Sequence, residues 1–133
     1  MDQRTKIHTQ DKRQELFISR EFNLPVKSLF KAFEDKDLFE QWMDTNLLQF
    51  DFSGKGTFHG FIRNEMIIRT FEMNVFSLPP QLEFLNFKML TKETSSLTMH
   101  IIFKSVEAKK ELLKRPFAIG LNMAYDRLES LLN

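Results

Sequence analysis

Cysteine is absent from the 133-residue sequence, which excludes disulfides, thiol catalysis and thiolate metal sites. A strong charge of one sign is also missing, because 19 basic and 18 acidic residues leave a net charge of +1. A net charge this small does not favour electrostatic binding to nucleic acid or anionic lipid as the activity. The longest apolar runs, such as 66–68 and 101–103, fall far short of the roughly 20 residues that a membrane span requires. We therefore expect no nucleic-acid partner and no transmembrane segment.

The apolar content of the chain is sufficient for one folded domain. Leu, Ile, Val and Phe make up about a third of the residues, well above the roughly 20% below which chains tend to stay disordered. No internal repeat, low-complexity tract or linker divides the sequence, so we expect a single domain over 1–133. Residues 1–12 are predicted to be a polar leader that either stands apart or joins the first strand. This leader lacks the apolar segment of a secretory signal, so the expected location is the cytoplasm.

The first part of the chain predicts one strand and two short helices. Apolar residues alternate over 14–24, which is typical of a strand, and Pro25 ends it because proline has no N–H for the ladder. Apolar spacings of three and four then predict a helix over 26–33. A second helix follows, and the pattern fits either Asp35 or Asp37 as its N-cap.

The rest of the chain predicts a meander of strands and a long terminal helix. Residues 53–56 supply glycines for a hairpin turn, and Pro79-Pro80 must interrupt the sheet. The strands predicted by the two-residue period are 48–52, 58–62, 67–75, 82–87 and 97–103. Apolar side chains at spacings of three and four over 117–131 predict a helix of about four turns. This order indicates the α+β class and a helix-grip fold: a curved antiparallel sheet of about six strands wrapped on the C-terminal helix, with two short helices after the first strand.

Five segments in this order carry a further resemblance. They are Phe22-Asn23-Leu24-Pro25-Val26 with the helices that follow to Trp42, an Asp and Gly-Gly pattern at 51–58, Leu78-Pro79-Pro80-Gln81-Leu82, a Thr-rich strand at 94–101, and Ala124-Tyr125-Asp126-Arg127-Leu128 in the terminal helix. Together they resemble the START-like (SRPBCC, Bet v 1-like) superfamily over nearly the whole chain. Within it they are most similar to the family named after the C-terminal domain of the activator of the Hsp-90 ATPase.

The resemblance implies a fold and the binding of hydrophobic ligands or protein partners, and it leaves three functions open. The first is a non-enzymatic domain that holds a hydrophobic small molecule or lipid between the sheet and the C-terminal helix. The alternative is a protein-interaction module related to the Hsp-90 ATPase activators, with a chaperone as its partner. The third is a small cyclase or hydrolase, which requires at least two polar groups that converge inside a cavity. A homodimer formed through strand edges also stays open.

Candidate residues for chemistry are few. His8, His59 and His100 do not form a metal-ligand spacing and no nucleophile motif is present, so we predict no catalytic residue, no metal and no cofactor. Arg69 lies in a predicted strand among apolar residues, so it must be paired, reach solvent or meet an anionic ligand. We expect a salt bridge to a glutamate on a neighbouring strand. The basic residues near the start of the last helix are predicted to form a solvated face: Lys104, Lys109, Lys110, Lys114 and Arg115.

The high phenylalanine content, 15 residues, predicts either a densely filled core or an aromatic-lined pocket. If the rings line a pocket, its volume should be at least about 300 Å³. Trp42 is predicted near its mouth, and Tyr125 is predicted to offer the hydroxyl that orients a polar ligand end. The predicted lining residues are Trp42, Phe58, Arg69, Phe71, Phe84, Met99, Leu121 and Tyr125.

Overall fold

Six antiparallel strands form one curved sheet, and the computed structural model describes residues 5–43, 54–73, 79–114 and 117–133. In chain order the elements are β1 (Thr5–Thr9), β2 (Glu15–Phe22), α1 (Val26–Glu34), α2 (Lys36–Met43), β3 (Gly54–Ile62), β4 (Met66–Met73), β5 (Gln81–Met89), β6 (Ser95–Ile102), α3 (Val106–Leu113) and α4 (Phe117–Leu132). The sheet order is β1-β2-β6-β5-β4-β3. The chain therefore has the α+β helix-grip fold that the sequence predicts.

The inner face of the sheet is apolar because side chains alternate along each strand. In β6, Leu97, Met99 and Ile101 are buried, while Thr98 is exposed. The long helix α4 and the pair α1–α2 cover this face, with α2 packed on α4 and α1 on β5. The core of the domain thus lies between the sheet and the helices.

Side-chain caps fix where the short helices begin. Asp35 Oδ1 accepts hydrogen bonds from the backbone N–H groups of Asp37 at 2.9 Å and Leu38 at 3.1 Å, so Asp35 is the cap of α2. Ser105 caps α3 in the same way, since its Oγ accepts from the Ala108 N–H at 3.0 Å. The sequence left the choice between Asp35 and Asp37 open, and the structure resolves it.

The leader prediction is refined, and the hairpin-turn prediction is wrong. Residues 5–9 join the sheet, which is one of the two alternatives for the leader, but as a strand of their own, the edge strand β1 that pairs with β2. Gly54 and Gly56 do not form a hairpin turn: they lie in β3, opposite Met73 and Phe71 of β4. The turn between β3 and β4 is at 63–65, where Asn64 adopts the left-handed conformation with φ 64°. The predicted strand 48–52 lies outside the described residues.

The buried stripe of α4 also differs from the predicted one. Tyr125 and Glu129 are buried with Phe117, whereas Leu131 is 42% exposed and Leu121 is half-buried. Ala124 and Leu128 stay buried as the spacing predicts, and their neighbours Tyr125 and Glu129 widen the stripe, so that two adjacent positions face the core. The inward positions of α4 therefore include a hydroxyl and a carboxylate.

Candidate functional site

A small cavity lies between the inner face of the sheet and α2 and α4. Its volume is about 30 Å³, and its walls come from β2, α1, α2, β4, β5, β6 and α4. Six of the eight predicted lining residues border it: Trp42, Arg69, Phe71, Met99, Leu121 and Tyr125. The sequence therefore located this part of the core correctly, although the cavity is much smaller than the 300 Å³ expected of a formed ligand pocket.

Phe58 and Phe84 do not border the cavity. Phe58 lies opposite Arg69 in the edge strand β3, and its side chain is 40% exposed. Phe84 lies on the outer face of the sheet, where its ring centroid is 5.9 Å from that of His100. Both placements follow from strand geometry, since a shift of register between Phe58 and Gly60 interrupts β3, and strict alternation in β5 turns Glu83 inward in place of Phe84.

A buried ion pair forms one wall of the cavity. Arg69 donates from Nε to Glu83 Oε1 at 2.8 Å, and its Nη2 lies 2.7 Å from the same oxygen. The Gln81 side-chain amide donates to Glu83 Oε2 at 2.7 Å, so both carboxylate oxygens are engaged. Arg69 and Glu83 lie directly opposite each other on β4 and β5. The predicted salt bridge from Arg69 to a glutamate on a neighbouring strand is confirmed.

Aromatic rings surround the Arg69 guanidinium. Its Cζ lies 4.9 Å from the ring centroid of Phe71, 5.1 Å from that of Phe39 and 5.8 Å from that of Phe33. A cation over an aromatic face is attracted by the ring quadrupole, and the attraction is larger where water is excluded. The rings and Glu83 together hold the positive charge in the interior.

The Tyr125 hydroxyl is the unusual polar group of the cavity. The side chain is 1% exposed, and its Oη has no hydrogen-bond partner among the residues that the structure describes. Burial raises the pKa of Tyr125 well above its usual range, the negative charge of Glu83 raises it further, and Arg69 and Arg20 oppose this. The phenol therefore stays protonated and keeps one O–H donor and its acceptor lone pairs unused.

Trp42 lies deeper than predicted. It is 1% exposed, its Nε1–H donates to the Ala32 carbonyl at 2.9 Å, and its ring packs against Phe33 and Tyr125 at centroid distances of 4.8 and 5.8 Å. Trp42 is therefore a fixed wall of the cavity and not part of its mouth. Of the six predicted residues that border the cavity, Leu121 is the one that is half-buried, while the other five are buried.

A second buried arginine was missed in the sequence. Arg20 of β2 places Nη2 2.7 Å from Asp126 Oδ1 and 3.1 Å from Glu129 Oε2, and its Nη1 donates to Asn122 Oδ1 at 3.2 Å. Arg20 holds α4 against the first strands of the sheet. The signal was available, because Arg20 follows Ile18 at the inward positions of β2, as Arg69 follows Ile67 in β4.

The predicted basic face at the start of α4 is also corrected. Lys109 is buried, and its Nζ donates to Thr9 Oγ1 at 2.9 Å and to the Gln10 carbonyl at 2.6 Å. It ties α3 to the turn after β1. The exposed members of the set are Lys104, Lys110 and Lys114. Arg115 lies outside the described residues.

The three histidines are on separate strands, and His59 and His100 make polar contacts. His100 Nε2 lies 2.7 Å from Glu15 Oε2, and its ring stacks on Phe17 at a centroid distance of 4.4 Å. His59 contacts the Thr70 hydroxyl. Within the described ranges, no group of three or more His, Asp or Glu side chains is placed to hold a metal ion. In the same part of the chain, the helices are too short or too polar to cross a membrane.

Comparison with known proteins identifies the architecture. No family model and no curated protein matches the chain. A solution structure of a protein from Arthrobacter aurescens superposes with a TM-score of 0.77 at 14% identity, covering 96% of this chain and 90% of that one. Protein Ms6760 from Mycobacterium smegmatis gives 0.77 at 15% identity, with 96% of each chain covered.

A solution structure from Staphylococcus epidermidis has a higher sequence identity, 19%, with a TM-score of 0.73 and coverage of 96% of this chain and 93% of that one. At such identities the likeness shows the fold alone. The resemblance to the START-like superfamily and to the Hsp-90 activator family stays a prediction.

Proposed function

We propose that this protein is a non-enzymatic START-like binding domain that holds a hydrophobic small molecule or lipid between the sheet and α4. The observation that carries this proposal concerns Tyr125, whose side chain lines an apolar cavity and whose hydroxyl is buried without a partner among the described residues. An unpaired buried hydroxyl costs free energy, so it is retained most readily where a ligand supplies its partner. The aromatic and aliphatic walls favour an apolar body for that ligand.

The cavity must widen to accept such a ligand. Its 30 Å³ exceed the roughly 10–15 Å³ that one water needs but are far below the volume of a drug-sized pocket. Leu121 is half-buried and Met43 is 7% exposed, and neither side chain has a polar atom that could form a hydrogen bond of the kind that fixes Trp42. Methionine is unbranched and adaptable, so we expect Met43 and Leu121 to move while Trp42 stays hydrogen-bonded to Ala32.

The arrangement of polar groups supports binding over catalysis. Arg69 and Glu83 bind each other, and Gln81 binds the second oxygen of Glu83. Acid–base or nucleophilic catalysis needs at least two groups that converge on a reacting atom. Among the lining residues that the structure describes, one hydroxyl is left unengaged, that of Tyr125, and a single hydroxyl is suited to orienting a ligand.

The test combines native mass spectrometry with thermal unfolding. The purified protein is weighed under native and denaturing conditions to detect a bound lipophile, and then titrated with fatty acids, sterols and aromatic polyketides. A ligand at about 100 times its Kd should stabilise the fold by about 2.7 kcal/mol. Leu121→Trp should abolish the stabilisation by filling the cavity. The control Ile119→Trp should preserve it, since Ile119 is exposed on the same helix.

Failure would be evident in two ways. If no lipophile co-purifies and no member of the panel raises the melting temperature, the cavity is a closed part of the core and the proposal is wrong. If Leu121→Trp and Ile119→Trp respond like the wild type, binding occurs elsewhere on the protein.

A second candidate function is the interaction module related to the Hsp-90 ATPase activators. The specific observation is a set of exposed apolar side chains on the outer side of α4: Ile119, Met123 and Leu131 are 51%, 38% and 42% exposed. Exposed apolar patches are typical of protein interaction sites. In a titration with purified Hsp-90 chaperone, the double variant Ile119→Lys/Met123→Lys should lose binding while keeping ligand-induced thermal stabilisation. Equal binding by wild type and variant, or no binding at all, would reject this candidate.

A further inference from the structure

The hydrogen-bonding group that the protein leaves unused in the cavity constrains the chemistry of a ligand. Tyr125 carries an O–H that is fixed in the protonated form by its buried surroundings. The Glu83 carboxylate already accepts hydrogen bonds through both oxygens, from Arg69 through one and from Gln81 through the other. Two buried side-chain atoms have no partner among the described residues, Arg20 Nε and the Tyr125 hydroxyl, and of these two residues Tyr125 belongs to the cavity lining.

We propose that the ligand is an uncharged molecule whose buried end is a hydrogen-bond acceptor, of the ketone or ester class, and that the Tyr125 hydroxyl donates to it. This inference rests on the proposed binding function and specifies its substrate class. A carbonyl oxygen has lone pairs that meet a phenolic O–H without requiring a further donor from the protein.

The ion pair argues against a charged ligand. Arg69 and Glu83 neutralise each other, and their side chains are 5% and 3% exposed. An anionic ligand end would enter beside the Glu83 carboxylate with no free counter-charge, and a cationic end would enter beside the Arg69 guanidinium. Burying an unpaired charge costs several kcal/mol, so either would bind less well than a neutral group.

The rings around the hydroxyl favour a flat ligand body. Trp42 and Phe33 lie 5.8 and 6.4 Å from the Tyr125 ring, measured between centroids. The three rings pack against one another at separations that aromatic pairs prefer, so a ligand that widens the cavity meets aromatic walls. An aryl ketone combines this body with the required acceptor.

Three probes of nearly equal shape separate these requirements: acetophenone, its hydrocarbon isostere α-methylstyrene, and benzoate. Their Kd values are measured by calorimetry or ligand-observed NMR on wild-type protein, on Tyr125→Phe, and on the control Phe84→Leu, which alters the outer face of the sheet. Wild type and control should bind acetophenone about fivefold more tightly than α-methylstyrene, which corresponds to one net hydrogen bond. Tyr125→Phe should remove this preference while binding α-methylstyrene as the wild type does, and benzoate should bind least well.

Each alternative result has a defined meaning. If wild type binds ketone and hydrocarbon equally, or if the preference survives in Tyr125→Phe, the hydroxyl is not the anchor and the inference is overturned while the binding function stands. If benzoate binds most tightly, Arg69 exchanges partners and the ligand class is anionic, which also overturns the inference. If none of the probes binds the wild type, the inference is overturned, and the proposed function is judged separately by the native mass spectrometry and the panel of fatty acids, sterols and aromatic polyketides.

Discussion

Replacing Tyr125 by phenylalanine should stabilise the ligand-free protein. The substitution keeps the ring, which packs at a centroid distance of 5.5 Å from Phe22 and 5.8 Å from Trp42, and removes only the hydroxyl. That oxygen is buried without a partner among the described residues, and an unsatisfied hydroxyl of this kind costs about 1–3 kcal/mol. Loss of its van der Waals contacts offsets part of the gain. We expect a net increase of about 1 kcal/mol in the free energy of unfolding.

Urea unfolding followed by circular dichroism measures this difference. The midpoint should rise at unchanged m-value, and the melting temperature should rise by roughly 3–5 °C for a chain of this length. Phe17→Tyr is the matched control, since it adds a hydroxyl at a side chain that is 40% exposed and should change stability by less than about 0.5 kcal/mol. A Tyr125→Phe protein that is less stable than the wild type would show that the hydroxyl is satisfied in solution and would refute the reasoning.

Two further predictions concern ion pairs. Arg69→Met should destabilise the protein by about 3–5 kcal/mol by leaving the Glu83 carboxylate buried and unpaired, whereas Arg69→Met/Glu83→Met should recover most of the loss in the same urea assay; equal losses would contradict this account. Hydrogen bonds from Arg13 and then His100 lower the pKa of Glu15, so its stabilising contribution is present above the unfolded-state pKa and is lost as the pH falls through the folded-state value. Between about pH 5 and about pH 3 the urea midpoint should fall more in wild type than in Glu15→Gln, and parallel curves would disprove the linkage.

The sequence predicted the fold and much of the cavity because both depend on periodicity. Arg69 stood out since a charged side chain interrupted an inward apolar series, and physical chemistry required a partner for it. The sequence could not identify Glu83 as this partner, because the register between β4 and β5 is a property of the assembled sheet. Arg20 gave the same sequence signal as Arg69 and was overlooked. The sequence could therefore predict that Arg20 needs a polar partner, although not that the partner lies on α4.

The failures have other physical causes. Phe58 and Gly54 were misplaced because edge strands tolerate glycine and irregular register, so the local sequence does not separate a turn from a strand there. The sequence predicts a solvated Lys109 because lysine is rarely buried, and its hydrogen-bond partners Thr9 and Gln10 belong to a segment that is distant in the sequence. That the Tyr125 hydroxyl has no partner among the described residues depends on every neighbouring side chain and has no sequence signal.

The position of β2 beside β6 has a consequence for how the chain folds. The Gln14 side chain donates to the Phe103 carbonyl across a separation of 89 positions, and the two strands pair along their whole lengths. Closing so long a loop costs entropy before the pairing returns any free energy, and domains rich in such contacts fold slowly. During synthesis, β2 cannot pair with β6 until most of the domain has been made. Until then its unpaired edge is open to other chains, which makes this strand the point at which folding and aggregation compete.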